Sequence, residues 1–365
     1  MSITSHAEEV LRIKGWAGYF PPALVQEFEG YIQQKYKRPV KLVIDDTLSA
    51  PEQAFDAIRS QQFDVTSYTH NIDKDNRLNF YSKGLAIPLD FTQIPNQKNL
   101  LPYFKNTPYF KSGDVAYGLP FICGPYALLY NSKKITEPTT WQVFWEQSNN
   151  QRYSISSDYY EINIYITALA SGISSTNGDY YTYDKLKNND AFIKNLNFLV
   201  KNSSTMWKSS ETAELLKNLN LATGWGTALH DLKRDGQEWR QALPQEGTTA
   251  WFDSYVIGYS LKDNAMRLGP NNAVRDRPFL RQVAHEWINY SLSPAYQAAL
   301  VKSWHSLSTT SNVTSELTPE EIIEYKINDA EKILSNMILW PTLSQRDRNG
   351  LKQLWENALA NSKKP

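Results

Sequence analysis

Between Leu11 and Tyr68 the chain alternates two hydrophobic periods, and this alternation restricts the fold more than any other feature. Leu11-Arg12-Ile13-Lys14-Gly15-Trp16 alternates apolar and polar residues like a half-buried strand. Pro21-Pro22 then opens an amphipathic run from Ala23 to Tyr36, with Leu24, Phe28 and Ile32 at helical spacing. Val40–Asp45 reads as a second strand, a helix follows from about Pro51 to Gln61, and Phe63–Tyr68 reads as a third strand. This order predicts a parallel sheet with helices packed on its faces. Ligands of such sheets bind beyond the carboxyl ends of the strands. Trp16-Ala17-Gly18-Tyr19 and Thr69-His70-Asn71 follow strand ends, so topology alone makes both loops candidates for a site.

The alternation breaks off and restarts. Val115–Phe121 and Tyr126–Asn131 read as long strands joined through Gly124-Pro125, as in a segment that crosses between domains. Thr140–Trp145 starts a helix with Thr139 or Thr140 as its cap. A new α/β pattern begins with a strand at Tyr153–Ser156 and a helix running to about Ala170. Helices are expected at about 184–201 and 207–218, then a strand from Leu221 ending in the glycine-flanked Trp225. Glycines there let the backbone approach a neighbouring strand or a ligand closely. Phe279–Leu292 and Pro294–Lys302 form a helix pair, and the chain from Thr318 onward is mainly helical. At 365 residues the chain exceeds one ordinary core. The first α/β unit is thus interrupted by a second and completed after it.

Gln245-Glu246-Gly247-Thr248-Thr249-Ala250-Trp251-Phe252-Asp253-Ser254-Tyr255 is an acidic-glycine turn feeding a strand. Residues i and i+2 of a strand share a face, which sets the Trp251 indole beside the Asp253 carboxylate. That pair suits an organic cation; equally, Trp251 is a core residue and Asp253 a solvated strand end. Asp158 and Glu161 stand at i and i+3, so on a first helical turn both carboxylates share a face. Acids favoured by the helix dipole account for them as well. The 22 Tyr, 14 Phe and 11 Trp fit either large cores with a tyrosine-rich surface or an aromatic-lined cleft.

Lys+Arg and Asp+Glu balance at 38 each, without the basic stripe that nucleic acid demands. The single Cys123 excludes an intrachain disulfide and a multi-cysteine zinc site, and reads as a small buried hydrophobe. No apolar run is long enough to span a bilayer. Ser5-His6-Ala7 is a small-x-small pattern, expected of the tail of a secretory signal whose charged and apolar parts are missing. The five histidines, His6, His70, His230, His285 and His305, lack ligand spacing, and no nucleophile is assembled with a base. No enzyme chemistry, cofactor or metal is implied.

From Leu11 to about Ala360 the chain resembles the periplasmic spermidine/putrescine-binding proteins of ABC transporters. Leu11 to Pro22 is similar to that family's first strand and loop, Leu119 to Asn131 to its first interdomain crossing, and Thr140 to Trp145 to the helix after it. The resemblance implies an α/β, two-lobed type II periplasmic binding protein, each lobe a mainly parallel sheet flanked by helices, joined by hinge crossings. Lobe 1 would comprise 1–122 and 253–304, and lobe 2 would comprise 123–252 and 305–365. Asp158 and Glu161 would hold an ammonium group, and Trp251 and Asp253 would clasp the middle of the polyamine. Trp225 and Trp304 would line the cleft with Trp16 and Tyr19, and Thr69 would supply a hydroxyl. Hydrogen bonds to buried charged groups are worth roughly 1.5–3 kcal/mol each, so three acids plus stacking suffice for micromolar or tighter binding.

Three positions depart from the family. Gly18 stands in place of an acid, Asn71 in place of an aromatic, and Pro341 follows Trp340 where an amide side chain is usual. One end of the cleft has lost a charge and an aromatic, which points to an altered ligand: norspermidine, another triamine, or a different organic cation, with weak putrescine binding. The implied setting is a monomer in the periplasm that closes on its ligand. Its partner would be an ABC permease or, alternatively, the periplasmic domain of a membrane signalling receptor. An iron-binding variant of the fold would want clustered tyrosines. The pairs Tyr159-Tyr160 and Tyr180-Tyr181 permit one, but the tryptophan-plus-acid pattern opposes it.

Overall fold

The computed structural model describes residues 8–146, 152–173, 181–262 and 275–363. Ser5-His6-Ala7 and Tyr180 lie outside them. The chain divides into two compact units. Unit 1 takes Met1–Cys123, Phe252–Val301 and Leu307–Glu331, and unit 2 takes Gly124–Trp251, Lys302–Ser306 and Lys332–Pro365. The expected division kept 305–365 whole, whereas 307–331 packs within unit 1. The reason is hydrogen bonding: Thr309 O accepts from the Leu101 N–H at 2.9 Å. The buried Gln297 amide joins the Thr309 N–H (2.9 Å) to Phe121 O (2.7 Å).

In unit 1 the strands Val40–Asp45, Glu9–Lys14 and Val65–Thr69 lie in that order and run parallel. Asp253–Ile257, the second half of the strand Thr248–Ile257, pairs antiparallel with Val65–Thr69. The Pro22–Tyr36 helix starts at its proline and buries Phe28 and Ile32, and the left-handed Lys37 ends it. Asp276 caps the Arg277–Ser291 helix by accepting the Phe279 N–H. That helix buries Trp287, which stacks on Phe20 (6.1 Å) and meets Phe28 edge-on (5.1 Å). Cys123 is buried as expected, and its thiol donates to Leu307 O.

One ion cluster ties this unit together. Asp64 is fully buried and accepts from the Arg12 guanidinium at 2.7 Å, the Arg275 guanidinium at 2.6 Å and the Ser260 hydroxyl at 2.9 Å. Burial works to raise its pKa, but the two guanidiniums prevail and hold the carboxyl below its ordinary value.

In unit 2 the sheet order is Trp239–Ala242, Ala127–Asn131, Leu221–Gly224, Tyr153–Ser156, Thr205–Trp207. The first two pairings are antiparallel and the last two parallel, so this sheet is mixed. Thr248–Ala250 pairs separately with Met337–Leu339, a strand that the helical reading beyond Thr318 passes over. The expected helix at 207–218 is also corrected. Thr205–Trp207 is an edge strand, and Trp207 buries its ring and donates its indole N–H to Thr223 O at 2.8 Å. Only Ala213–Leu216 is helical there, capped by Thr212. Likewise 184–201 divides into Tyr183–Leu186 and Asp190–Lys201, the latter capped by Asn189. The Gln345–Ser362 helix, capped by Ser344, packs on Tyr160–Ala170 and Asp190–Lys201.

Replacing Asp64 by Asn strands two largely buried guanidiniums, and the expected loss is about 3–5 kcal/mol of unfolding free energy. A lowered folded-state pKa gives stability that is present above the unfolded value, about 3.9, and lost as pH falls through the folded value. Denaturant unfolding across the acid range should therefore show a shallower pH dependence in the variant. A loss below about 1 kcal/mol contradicts the cluster's role.

Candidate functional site

In unit 1 several of the expected site residues gather around Asp253. The chain leaves the strand Glu9–Lys14 into a turn that exposes Gly18 at φ +85°, a conformation suited to glycine, and returns at Tyr19. The Tyr19 ring is buried edge-on against Phe121 (5.3 Å), which aims its hydroxyl at Asp253. It donates to Asp253 Oδ2 at 2.8 Å. Thr69, at the end of its strand, is paired in register with Asp253. One residue on, His70 Nδ1 accepts the Phe252 N–H at 3.3 Å, and its ring stacks on Phe252 at 4.5 Å. His70 is thus a satisfied core histidine that anchors the strand beside the carboxylate.

Asp253 is 1% exposed. Burial pushes its pKa up to about 6, against the opposing pull of side-chain donors from Thr69, Tyr19 and Trp16. Oδ1 still has no partner of hydrogen-bond geometry. The solvated strand end is therefore excluded: this is a buried carboxylate with an open oxygen, beside the half-buried Trp16 indole. That oxygen can accept from a hydroxyl, a water or an ammonium group.

Unit 2 assembles aromatic rings around Trp225. Its ring centroid lies 4.9 Å from Tyr159 and 5.1 Å from Tyr126, 5.9 Å from Trp340, 6.0 Å from Trp207 and 6.2 Å from Trp251. Trp304 joins through Trp251 at 6.1 Å. Close backbone approach makes the cluster possible. A Cβ on Gly124 would stand 3.3 Å from the Trp251 ring, and one on Gly226, at φ +90°, would stand 3.0 Å from Trp304 O. Sequence reading finds Trp225, Trp251 and Trp304 but misses Tyr126, Trp207 and Trp340 as their neighbours. Only tertiary pairing of distant strands brings those three in.

The acids of unit 2 occupy different ground from the one expected. The helix starts at Tyr160, so Asp158 precedes it and does not share a helical face with Glu161. Asp158 is exposed, and both its oxygens are engaged, by the Ser156 hydroxyl (2.9 Å) and the Ser209 N–H (2.9 Å). Those two donors hold the turn and keep the helix from starting earlier. Glu161 lies on the first turn, 3.9 Å from the Arg348 guanidinium. A buried acid not anticipated from sequence, Glu211, accepts the Trp225 N–H at 2.9 Å.

In the ligand-free protein Asp253 carries a stability signature. Its folded pKa stands above the unfolded value, so its contribution is present below about pH 4 and lost as pH rises through about 6. Asp253→Asn should raise thermal stability at about pH 7.5 by the equivalent of about 1–3 kcal/mol and flatten the profile between the two pKa values. A destabilised variant with an unchanged profile would show that the carboxylate is satisfied.

Several known proteins are similar to this chain. It is 23% identical, over 79% of its length and 72% of the relative's, to the spermidine/putrescine-binding periplasmic protein 1 of Haemophilus influenzae. Its fold is that of a putative spermidine/putrescine ABC transporter protein from Listeria monocytogenes (TM-score 0.71, 19% identity, 96% and 98% of the two chains covered). It is likewise that of a spermidine/putrescine ABC transporter substrate-binding protein from Streptococcus pneumoniae (TM-score 0.72, 17% identity, 97% and 100% covered). These structures share the type II periplasmic binding fold, and the relatives are solute-binding proteins rather than enzymes. The model of the bacterial extracellular solute-binding protein family matches residues 71–328, and the chain belongs to that family.

Proposed function

We propose that this protein captures a polyamine outside the cytoplasmic membrane, in the periplasm, and delivers it to an ABC permease. The observation that carries the proposal is the buried Asp253 carboxylate with its open Oδ1. It takes one ammonium group, and the indoles of Trp16, Trp225, Trp251 and Trp304 supply faces for methylenes and for the remaining charge. The ligand named for the Haemophilus influenzae relative supports the same chemistry. On this reading the protein closes on its ligand as a monomer.

The ligand is a triamine of the spermidine or norspermidine class. Gly18 leaves the turn before Tyr19 without a carboxylate, and Asp158 commits both oxygens to its own loop, so a diamine would find one strong anchor at Asp253. Isothermal calorimetry with spermidine, norspermidine, spermine and putrescine tests this. The expected order places a triamine first, at micromolar or tighter affinity, and putrescine last. Asp253→Ala should cost about tenfold to a hundredfold in affinity. Below pH about 6 a proton competes for the same oxygen, and affinity should fall by up to about tenfold per pH unit. Absence of binding to all four amines would retire the ligand while leaving the fold in place.

A further inference from the structure

Glu211 is a buried acid that the proposed binding does not use. It is 2% exposed, and no basic side chain pairs with it among the described residues. Its carboxylate instead gathers backbone donors, taking the Trp225 N–H at Oε2 (2.9 Å) and the Ala228 N–H at Oε1 (3.4 Å). The Thr227 hydroxyl closes the same loop onto the Glu211 backbone carbonyl at 3.3 Å. Room for the acid comes from Gly224, where a Cβ would fall 2.6 Å from the Glu211 carboxyl carbon. Glycine and glutamate thus form a matched pair.

A buried acid is a costly way to hold two N–H groups, and burial pushes its pKa up. What the arrangement achieves is the placement of one side chain. Two residues earlier, Ser209 O accepts the Trp225 indole N–H at 3.0 Å. Ser209 is held in the left-handed region, at φ +63°, while Asp158 accepts its N–H at 2.9 Å. The segment Ser209–Glu211 therefore grips Trp225 at its backbone and at its indole, and Trp225 is the ring on which five others converge.

We infer that Glu211 is a positioning residue that sets the Trp225 indole for ligand binding, through the backbone of Trp225 rather than by contact with the ligand. The ligand part of this inference rests on the polyamine reading; the placement of Trp225 does not.

The test joins a ligand-free readout to a double-mutant cycle. In nitrogen-15 NMR spectra the Trp225 indole N–H is assigned by its disappearance in Trp225→Phe. In Glu211→Gln that resonance should shift and exchange with solvent about tenfold faster. Spermidine affinity should fall about tenfold, and the fall should vanish when Glu211→Gln is made in a Trp225→Ala background. An unchanged indole resonance and exchange rate, or the same affinity loss with and without Trp225, overturns the inference. If wild type binds no polyamine, the polyamine reading fails, and the indole readout alone decides Glu211. If Glu211→Gln does not fold, Glu211→Asp, which retracts the carboxylate, decides by the same readouts.

Discussion

Every residue of the strand Thr248–Ile257 is buried, and this one segment serves both units. Its first half pairs with Met337–Leu339 and ends in Trp251, in unit 2; its second half pairs with Val65–Thr69 and carries Asp253, in unit 1. A strand buried on both faces is ordinarily a run of branched apolar residues. Placing a carboxylate in it removes a charge from water, and the surrounding structure must answer that cost with donors or with a ligand. Trp16, Tyr19 and Thr69 supply donors to that carboxylate, and His70 accepts the N–H of the preceding residue.

Three buried carboxylates show how partners decide what burial means. Asp64 faces two guanidiniums and is held below its ordinary pKa, which makes it a structural ion cluster. Glu211 faces backbone N–H groups and is raised, yet both its oxygens are occupied. Asp253 faces neutral side-chain donors, is raised to about 6 and keeps one oxygen open. Of these three, only Asp253 keeps an oxygen without a hydrogen bond. A charge-assisted hydrogen bond to an ammonium group would supply what three neutral donors do not.

Much of the fold is legible in the sequence, for a physical reason. Val40–Asp45 and Tyr153–Ser156 fall on their expected residues because their apolar patterns end abruptly at turn-forming neighbours. Thr205–Trp207 and Met337–Leu339 leave no local pattern, because short strands gain their identity from partners distant in the chain. The site divides similarly. Tyr19 and Asp253 are 234 positions apart, and no local pattern links them; the family resemblance names both. The spacing of Asp158 to Glu161 suggests a shared helical face, but Ser156 and Ser209 capture Asp158 in the preceding turn. Glu211 leaves no mark beyond Gly224, whose need for space becomes plain only when the carboxylate opposite is seen.

If Asp253 is a buried carboxylate that a cation neutralises, its own titration must show it. Carbon-13 NMR of the Asp253 side-chain carboxyl, assigned with Asp253→Asn, would follow ionisation with and without spermidine. The expected midpoint is near pH 6 in the free protein and well below this when spermidine is bound. A midpoint in the ordinary carboxylate range, or one that spermidine leaves in place, would contradict it.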